Sequence, residues 1–132
     1  MKYMLDTNIC IYIIKKHPIH VLNHLKKQNI SDICLSSITL AELEYGVQKS
    51  ERKVQNGLAL AEFLSPIEIM PFDEVAAIEF GKIRSNLEKK GKLIGEYDLM
   101  IAAHAIALDL ILVTNNIKEF KRVTDLKIEN WI

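Results

Sequence analysis

The amino-acid sequence predicts an α/β fold, in which three layers form an α/β/α sandwich around a mainly parallel central sheet. Short apolar runs alternate with longer amphipathic segments, which is the pattern of strands connected by helices. The run LILV at residues 110–113 is apolar throughout, as in strands that are buried on both faces of a parallel sheet. The 132 residues are enough for one domain with its own core, so we expect a single domain over residues 1–132.

The first half of the chain should contain two strands that are each followed by helices. Ser36 and Ser37 can cap the helix after the second strand, because serine hydroxyls accept hydrogen bonds from the free amides of a helix start. Ser65 and Pro66 end the last of these helices, since a residue before proline avoids the helical conformation. The predicted elements are strands at residues 3–5 and 33–35 and helices at residues 8–16, 18–28, 38–49 and 51–63.

The second half of the chain should continue this alternation. Asp73 is a favourable N-cap for a long helix, and Gly91 can end that helix in the left-handed conformation. The apolar stripe of this helix consists of Ala76, Phe80, Ile83 and Leu87. The remaining predicted elements are strands at residues 67–70 and 110–113 and a helix at residues 96–108.

The composition is that of a globular protein without a net charge. Apolar residues make up 49% of the chain, and 17 basic residues balance 17 acidic ones, which argues against disorder and against a protein that coats nucleic acid. The sequence around Cys10 and Cys34 does not indicate the disulfide framework of a secreted protein. Asp6 interrupts the continuous apolar segment that a signal peptide would need. No apolar stretch approaches the roughly 20 residues of a membrane span. We therefore expect a cytoplasmic protein that has no membrane partner.

Polar side chains follow three of the predicted strands, at the point where each strand ends. Because parallel sheets bind ligands beyond the carboxyl ends of their strands, these side chains should meet at one edge of the sheet. Asp98 adds a further carboxylate, since it shares a helix face with Ile101 and Ala105. The residues that follow the strands are Asp6, then Ser36, Ser37 and Glu42, and finally Thr114, Asn115, Asn116 and Glu119.

Each of these carboxylates also has a purely structural interpretation. Asp6 could cap a helix, although a helix that begins at Asn8 would free its carboxylate for a cation. Asp98 could complement the dipole of its helix in the first turn. Helical phase does not choose between Glu42 and Glu44, and either could be a solvated surface charge.

A cluster of carboxylate and amide oxygens favours a hard cation, Mg²⁺ or else Mn²⁺, and no His or Cys motif indicates zinc. Such a site suits phosphodiester hydrolysis by a metal-activated water, which requires no nucleophile from the protein. A basic rim would help a polyanion approach the acidic pocket. The candidates on the substrate side are Thr7, Ser37, Arg84, Lys92, Thr114 and Lys118.

Four segments carry a resemblance to a known family: LDTNI, ITLAELEYG, GKLIGEYDLMIAAHA and LVTNNIKEF. In order and spacing they resemble the motifs of PIN domains, and nearly the whole chain is similar to VapC-type toxins of bacterial toxin–antitoxin pairs. The resemblance implies a PIN-like fold and a Mg²⁺-dependent endoribonuclease that acts on structured RNA, with transfer RNA as the expected substrate. It also implies a homodimer that a VapB-like antitoxin silences in a hetero-oligomeric complex.

The resemblance implies that Asp6 and Asp98 bind the metal and that Glu42 is the third acid. Many PIN domains place another Asp after the last core strand, whereas this chain has Asn116 there and Glu119 three residues later. The expected catalytic set is therefore Asp6, Glu42, Asp98, Asn116 and Glu119. Whether Asn116 or Glu119 completes the site, and whether it binds one ion or two, is left open.

Two other functions compete with this one. A phosphohydrolase would use Asp6 as a nucleophile, but such enzymes carry a second acid where this chain has Asn8. A PIN-like module could also bind RNA or protein without cutting it. Finally, the helices at residues 8–28 and 38–63 are rich in apolar residues, which would suit a groove for an antitoxin helix.

Overall fold

The computed structural model describes residues 1–132 as five strands and seven helices. The strands are β1 (Tyr3–Leu5), β2 (Ile33–Ser36), β3 (Glu68–Met70), β4 (Ile111–Val113) and β5 (Ile128–Glu129). The helices are α1 (Thr7–Lys15), α2 (Ile19–Lys26), α3 (Ser37–Lys49), α4 (Lys53–Leu64), α5 (Glu74–Lys89), α6 (Glu96–Ala107) and α7 (Ile117–Phe120). None of these helices is both long and apolar enough to span a bilayer.

The strands form one sheet in the order β3-β2-β1-β4-β5, and every neighbouring pair is parallel. The predicted mainly parallel sheet is therefore confirmed and is parallel throughout. In β1, Tyr3 pairs with Ile33 of β2 on one side and with Ile111 of β4 on the other. From β1 the chain adds β2 and β3 on one side and then β4 and β5 on the other. The residue that follows β1 therefore lies at the topological switch point, where such sheets bind ligands.

Each face of the sheet is covered by its own apolar core, which confirms the three-layer sandwich. Side chains alternate along β1, so Tyr3 and Leu5 enter the core on the face covered by α1 to α4. Met4 points to the opposite core, where Leu99 and Ile101 of α6 are buried. β1 is thus buried on both faces, and the carboxyl end of this strand is held rigidly.

The predicted helix boundaries agree with the structure where a capping residue is present. Asp73 accepts a hydrogen bond from the amide of Ala76 at 3.1 Å, and α5 begins at the next residue. Gly91 follows the end of α5 with a φ of 65°, the left-handed conformation that glycine adopts without strain. Ser36 caps α3 by accepting from the amide of Ile38 at 3.1 Å.

The last part of the chain contains two elements that the sequence pattern does not predict, α7 and β5. Both are short, and β5 is an edge strand of two residues. Trp131, just after β5, is buried and stacks on His24 of α2 with ring centroids 4.6 Å apart. Its indole nitrogen donates to Glu129 at 2.8 Å. Through Trp131, these contacts connect the edge strand β5 to helix α2.

Candidate active site

Asp6 lies directly after β1 and is only 4% exposed. One carboxylate oxygen, Oδ1, accepts a hydrogen bond from the amide of Ile9 at 2.9 Å, so Asp6 is the N-cap of α1. The prediction that α1 begins at Asn8 and leaves Asp6 out of capping is wrong, because the helix begins at Thr7. A carboxylate has two oxygens, however, and the cap uses only one of them. Asp6 can therefore cap the helix and also serve a site.

Thr114 fixes the carboxylate of Asp6 from the neighbouring strand. Burial raises the pKa of Asp6, while hydrogen bonds from the Thr114 hydroxyl and the Ile9 amide lower it and the charge of Glu42 raises it. Thr114 is fully buried, and its hydroxyl oxygen accepts from the amide of Asn116 at 2.9 Å. The hydroxyl hydrogen is thereby directed to Asp6, which restricts the orientation of the carboxylate.

Glu42 extends from α3 to the same edge of the sheet. The hydroxyl of Thr7 donates to Glu42 Oε1 at 2.7 Å across 35 residues of sequence. Glu44 is exposed, whereas the charge of Glu42 raises the pKa of both Asp6 and Asp98. The structure thus distinguishes two glutamates that helical phase could not. It also gives Thr7, a predicted substrate-side residue, a direct contact with an acid of the cluster.

Asp98 lies in the first turn of α6, whose N-cap is Gly95. Burial, and after it the negative charges of Asp6, Glu42 and Glu119 in that order, raise the pKa of Asp98 to about 6. Four carboxylates from four different segments of the chain therefore repel one another at this edge. A bound cation would remove that repulsion, which is the usual purpose of such an arrangement.

The donor set is suited to Mg²⁺. No group of three or more His, Cys, Asp or Glu side chains is arranged to hold an ion directly. Mg²⁺ keeps several of its waters and binds proteins through one or two carboxylates, so it needs no fuller cage. Asp6 and Asp98 are the two carboxylates that could bind it directly, and Glu42 and Glu119 are close enough for their charges to raise the pKa of Asp98.

The other predicted site residues make contacts outside the acidic cluster or are exposed. Asn116 precedes α7 but makes no capping hydrogen bond with its side chain. Ser37 accepts from the amide of Phe72 at 3.0 Å, which braces the connection between β3 and α5. Lys92 and Lys118 are exposed. Arg84 is engaged in ion pairs with Glu88 at 3.1 Å and Glu96 at 3.0 Å.

Two features at the site were not predicted. The side chain of Asn115 donates to the hydroxyl of Tyr12 at 3.3 Å, and a Cβ at Gly95 would lie 3.6 Å from a carboxylate oxygen of Asp98, an ordinary van der Waals distance. The first feature joins the loop after β4 to α1 across 103 residues of sequence, so no local pattern indicates it. The second involves two residues that are three positions apart at the start of α6.

A comparison with protein families identifies this arrangement. The family model for the PIN domain matches residues 3–126. The chain belongs to the PIN-domain family. Ribonuclease VapC2 of Rickettsia felis is 54% identical over 134 residues, covering 99% of this PIN domain and 98% of that protein. The tRNA(fMet)-specific endonuclease VapC of Salmonella typhimurium is 45% identical over 131 residues, with 99% and 98% covered.

Solved structures agree with these relatives. The structure of VapBC2 from Rickettsia felis bound to a DNA fragment from the VapBC2 promoter contains a chain that superposes on this one with a TM-score of 0.93. The two chains are 51% identical, and each is covered completely. DNA-bound VapBC from Salmonella typhimurium gives a TM-score of 0.95 at 45% identity, covering 100% of this chain and 99% of that one. The predicted membership among PIN-domain ribonucleases of the VapC type is confirmed, and this PIN domain is an endoribonuclease.

Proposed function

We propose that this PIN domain is the toxin of a type II toxin–antitoxin pair, and that it hydrolyses transfer RNA with the help of Mg²⁺. The observation that carries the proposal is the cluster of Asp6, Glu42, Asp98 and Glu119, in which burial and then repulsion from the other three acids raise the pKa of Asp98 to about 6. Carboxylates that are held together at this cost need a cation. A cation at the switch point of a parallel sheet is well placed to meet a phosphate.

Each acid has a role in this proposal. Asp6 and Asp98 would hold Mg²⁺, which when bound lowers the pKa of the attacking water and stabilises negative charge on the phosphate. Glu42, which accepts a hydrogen bond from the hydroxyl of Thr7, would accept a proton from that water. Glu119, three residues after the position at which many PIN domains carry an aspartate, would complete the site. Asn116 would remain a neutral neighbour of the cluster.

The substrate and the assembly follow from the relatives and from the charges around the cluster. The Salmonella relative is named for cleavage of tRNA(fMet), which supports transfer RNA as the substrate class. Lys92 and Lys118 are exposed cations that can contact RNA phosphates. We further propose a homodimer, since two copies would present two acidic sites to one folded RNA.

The proposed activity is tested by incubating the purified chain with total transfer RNA. We expect cleavage in Mg²⁺, loss of cleavage in EDTA, and recovery when Mg²⁺ or Mn²⁺ is restored. Equal cleavage with and without EDTA would contradict the metal dependence. A folded chain that binds Mn²⁺ but cuts no cellular RNA would instead support a PIN-like module without catalytic activity.

A groove next to the acidic cluster supports an antitoxin as the partner. It has a volume of about 380 Å³ and lies between α1, α3 and α4. Glu42 lines the groove, so a segment bound there would also reach the proposed active site. The Rickettsia and Salmonella structures are of VapBC bound to DNA, which supports a VapB-like partner here. The apolar side chains that line the groove are Ile11, Ile14, Leu43, Val47, Ala59 and Leu60.

Gly46 allows this partner proposal to be tested without disturbing the core. It lines the groove, and a Cβ added there meets no atom within 4 Å. A Gly46→Leu side chain would therefore fill space that the antitoxin needs, and we expect antitoxin affinity to fall about 5- to 150-fold, the equivalent of 1–3 kcal/mol for an overpacked site. Calorimetric titration with the antitoxin measures this.

Gly81 provides the matched control. It lies in α5, outside the groove, and an added Cβ there also meets no atom within 4 Å. Both substitutions replace a helical glycine and should stabilise the helix slightly. Gly81→Leu should bind the antitoxin as the wild type does. Equal affinity for all three proteins would place the antitoxin elsewhere.

A further inference from the structure

His104 is a buried titratable side chain that has no part in the proposed chemistry. It lies on α6, six residues after Asp98, and only 1% of it is exposed. Its Nδ1 is 2.8 Å from the hydroxyl oxygen of Ser36, the residue that caps α3. The edge of the Phe72 ring meets the imidazole with centroids 5.5 Å apart and planes at 80°.

The hydrogen bonds around the imidazole determine which nitrogen carries the hydrogen. Burial lowers the pKa of His104, whereas the charge of Asp73 and a hydrogen bond with the Pro71 carbonyl raise it. A neutral imidazole has one donor and one acceptor nitrogen. Nδ1 faces Ser36, so Nε2 donates to Pro71, and Nδ1 accepts the hydroxyl hydrogen of Ser36. The oxygen of Ser36 in turn accepts from the amide of Ile38.

His104 therefore joins three segments that are distant in sequence. It binds α6 to the start of α3 through Ser36 and to the connection between β3 and α5 through Pro71. Two acids of the site lie on the first two of these segments, because Asp98 is six residues before His104 and Glu42 is six residues after Ser36. Helix α3 also packs on α6. A change at His104 would let one acid-bearing helix shift against the other.

We propose that His104 is a positioning residue, which sets the separation of Asp98 and Glu42 and thereby the affinity of the site for its divalent cation. The inference rests on the proposed function, since it assumes that these acids serve a metal site. His104 does not contact the reacting atoms. Its effect passes through Ser36 and the two helices.

The test compares three substitutions. His104→Leu removes both hydrogen bonds, His104→Asn places an amide near the position of Nδ1 and can still accept from Ser36, and His104→Gln reaches only the position of Nε2. Loss of an outer partner of a metal ligand typically costs 10- to 100-fold in affinity. We expect Mn²⁺ affinity, measured by calorimetry without RNA, to fall about 10-fold or more for Leu and Gln and to recover in Asn.

Kinetic measurements separate positioning from simple stability. At a fixed Mg²⁺ concentration we expect His104→Gln to lower kcat for RNA cleavage about 10-fold, with KM changed less than about 2-fold. If His104 only stabilises the fold, its substitution would lower the melting temperature and leave the Mn²⁺ affinity per folded molecule unchanged. If His104→Leu does not fold, the contrast between Asn and Gln still decides the question.

The outcomes distinguish this inference from the proposed function. Wild-type Mn²⁺ affinity in both His104→Gln and His104→Asn would overturn the positioning role while leaving the nuclease proposal intact. A wild-type chain that binds no Mn²⁺ would overturn both. A chain that binds Mn²⁺ with the expected His104 dependence but cuts no RNA would overturn the nuclease proposal alone.

Discussion

Replacing Asp6 by Asn should lower RNA cleavage by more than about 100-fold, since even the outer partners of metal ligands contribute 10- to 100-fold. Asn keeps the size of the side chain and one oxygen, and it caps helices as well as Asp does. The hydrogen bond from the Ile9 amide at 2.9 Å can therefore persist. What is lost is the negative charge at the centre of the acidic cluster.

Asp6→Ala serves as the matched variant that removes the cap as well. We expect it to lose cleavage to the same extent and to lose about 1 kcal/mol of unfolding free energy relative to Asp6→Asn, the usual contribution of an N-cap. Cleavage rates and urea unfolding curves of both variants separate the two roles of Asp6. Cleavage at the wild-type rate by a folded Asp6→Asn protein would exclude Asp6 from the site.

Asp98 should make the metal-free protein less stable at pH 7 than at pH 5. Its pKa in the folded chain is about 6, above the ordinary aspartate value of 3.8, so the folded state binds this proton more tightly than the unfolded state. The resulting stabilisation is fully present below about pH 4 and is lost as the pH rises through about 6. We expect a loss of about 1–2 kcal/mol, after allowance for solvent screening of this half-buried group.

Urea unfolding in EDTA at several pH values measures this loss, with Asp98→Asn as the control. The variant cannot ionise at this position, so it should be more stable than the wild type at pH 7 and should lose less stability between pH 5 and 7. Mg²⁺ should reverse the order at pH 7, because it stabilises the ionised wild type. Asp98→Asn should also cut RNA more than about 100-fold more slowly. Parallel pH profiles for the two proteins would contradict the raised pKa.

The sequence allows most of the fold to be predicted because its signals are local. The apolar run at residues 110–113 and the cap at Asp73 each report a structural environment within a few residues. The short α7 and the two-residue β5 span too few residues for any periodicity to develop. The burial of Trp131 was equally hidden, since its partners Tyr3 and His24 lie more than 100 residues away.

The acidic cluster was predictable in its residues but not in its contacts. Strand ends and family motifs indicated Asp6, Glu42 and Asp98, whereas the capping contact of Asp6 depends on which oxygen meets the Ile9 amide. His104 lies six residues after Asp98, on a different face of the helix, so its position in the sequence gives no link to the cluster. It is buried since α6 is packed on nearly every side.

The position of β1 at the centre of the sheet also has a consequence for the timing of translation. Tyr3 pairs with Ile111, so more than a hundred further residues must be synthesised before β1 can pair with β4, its second neighbour in the sheet. At synthesis rates of about 5–20 residues per second, that delay is on the order of ten seconds. Thr114 and Glu119 are made later still. A nascent chain therefore lacks the complete acidic cluster for most of its synthesis.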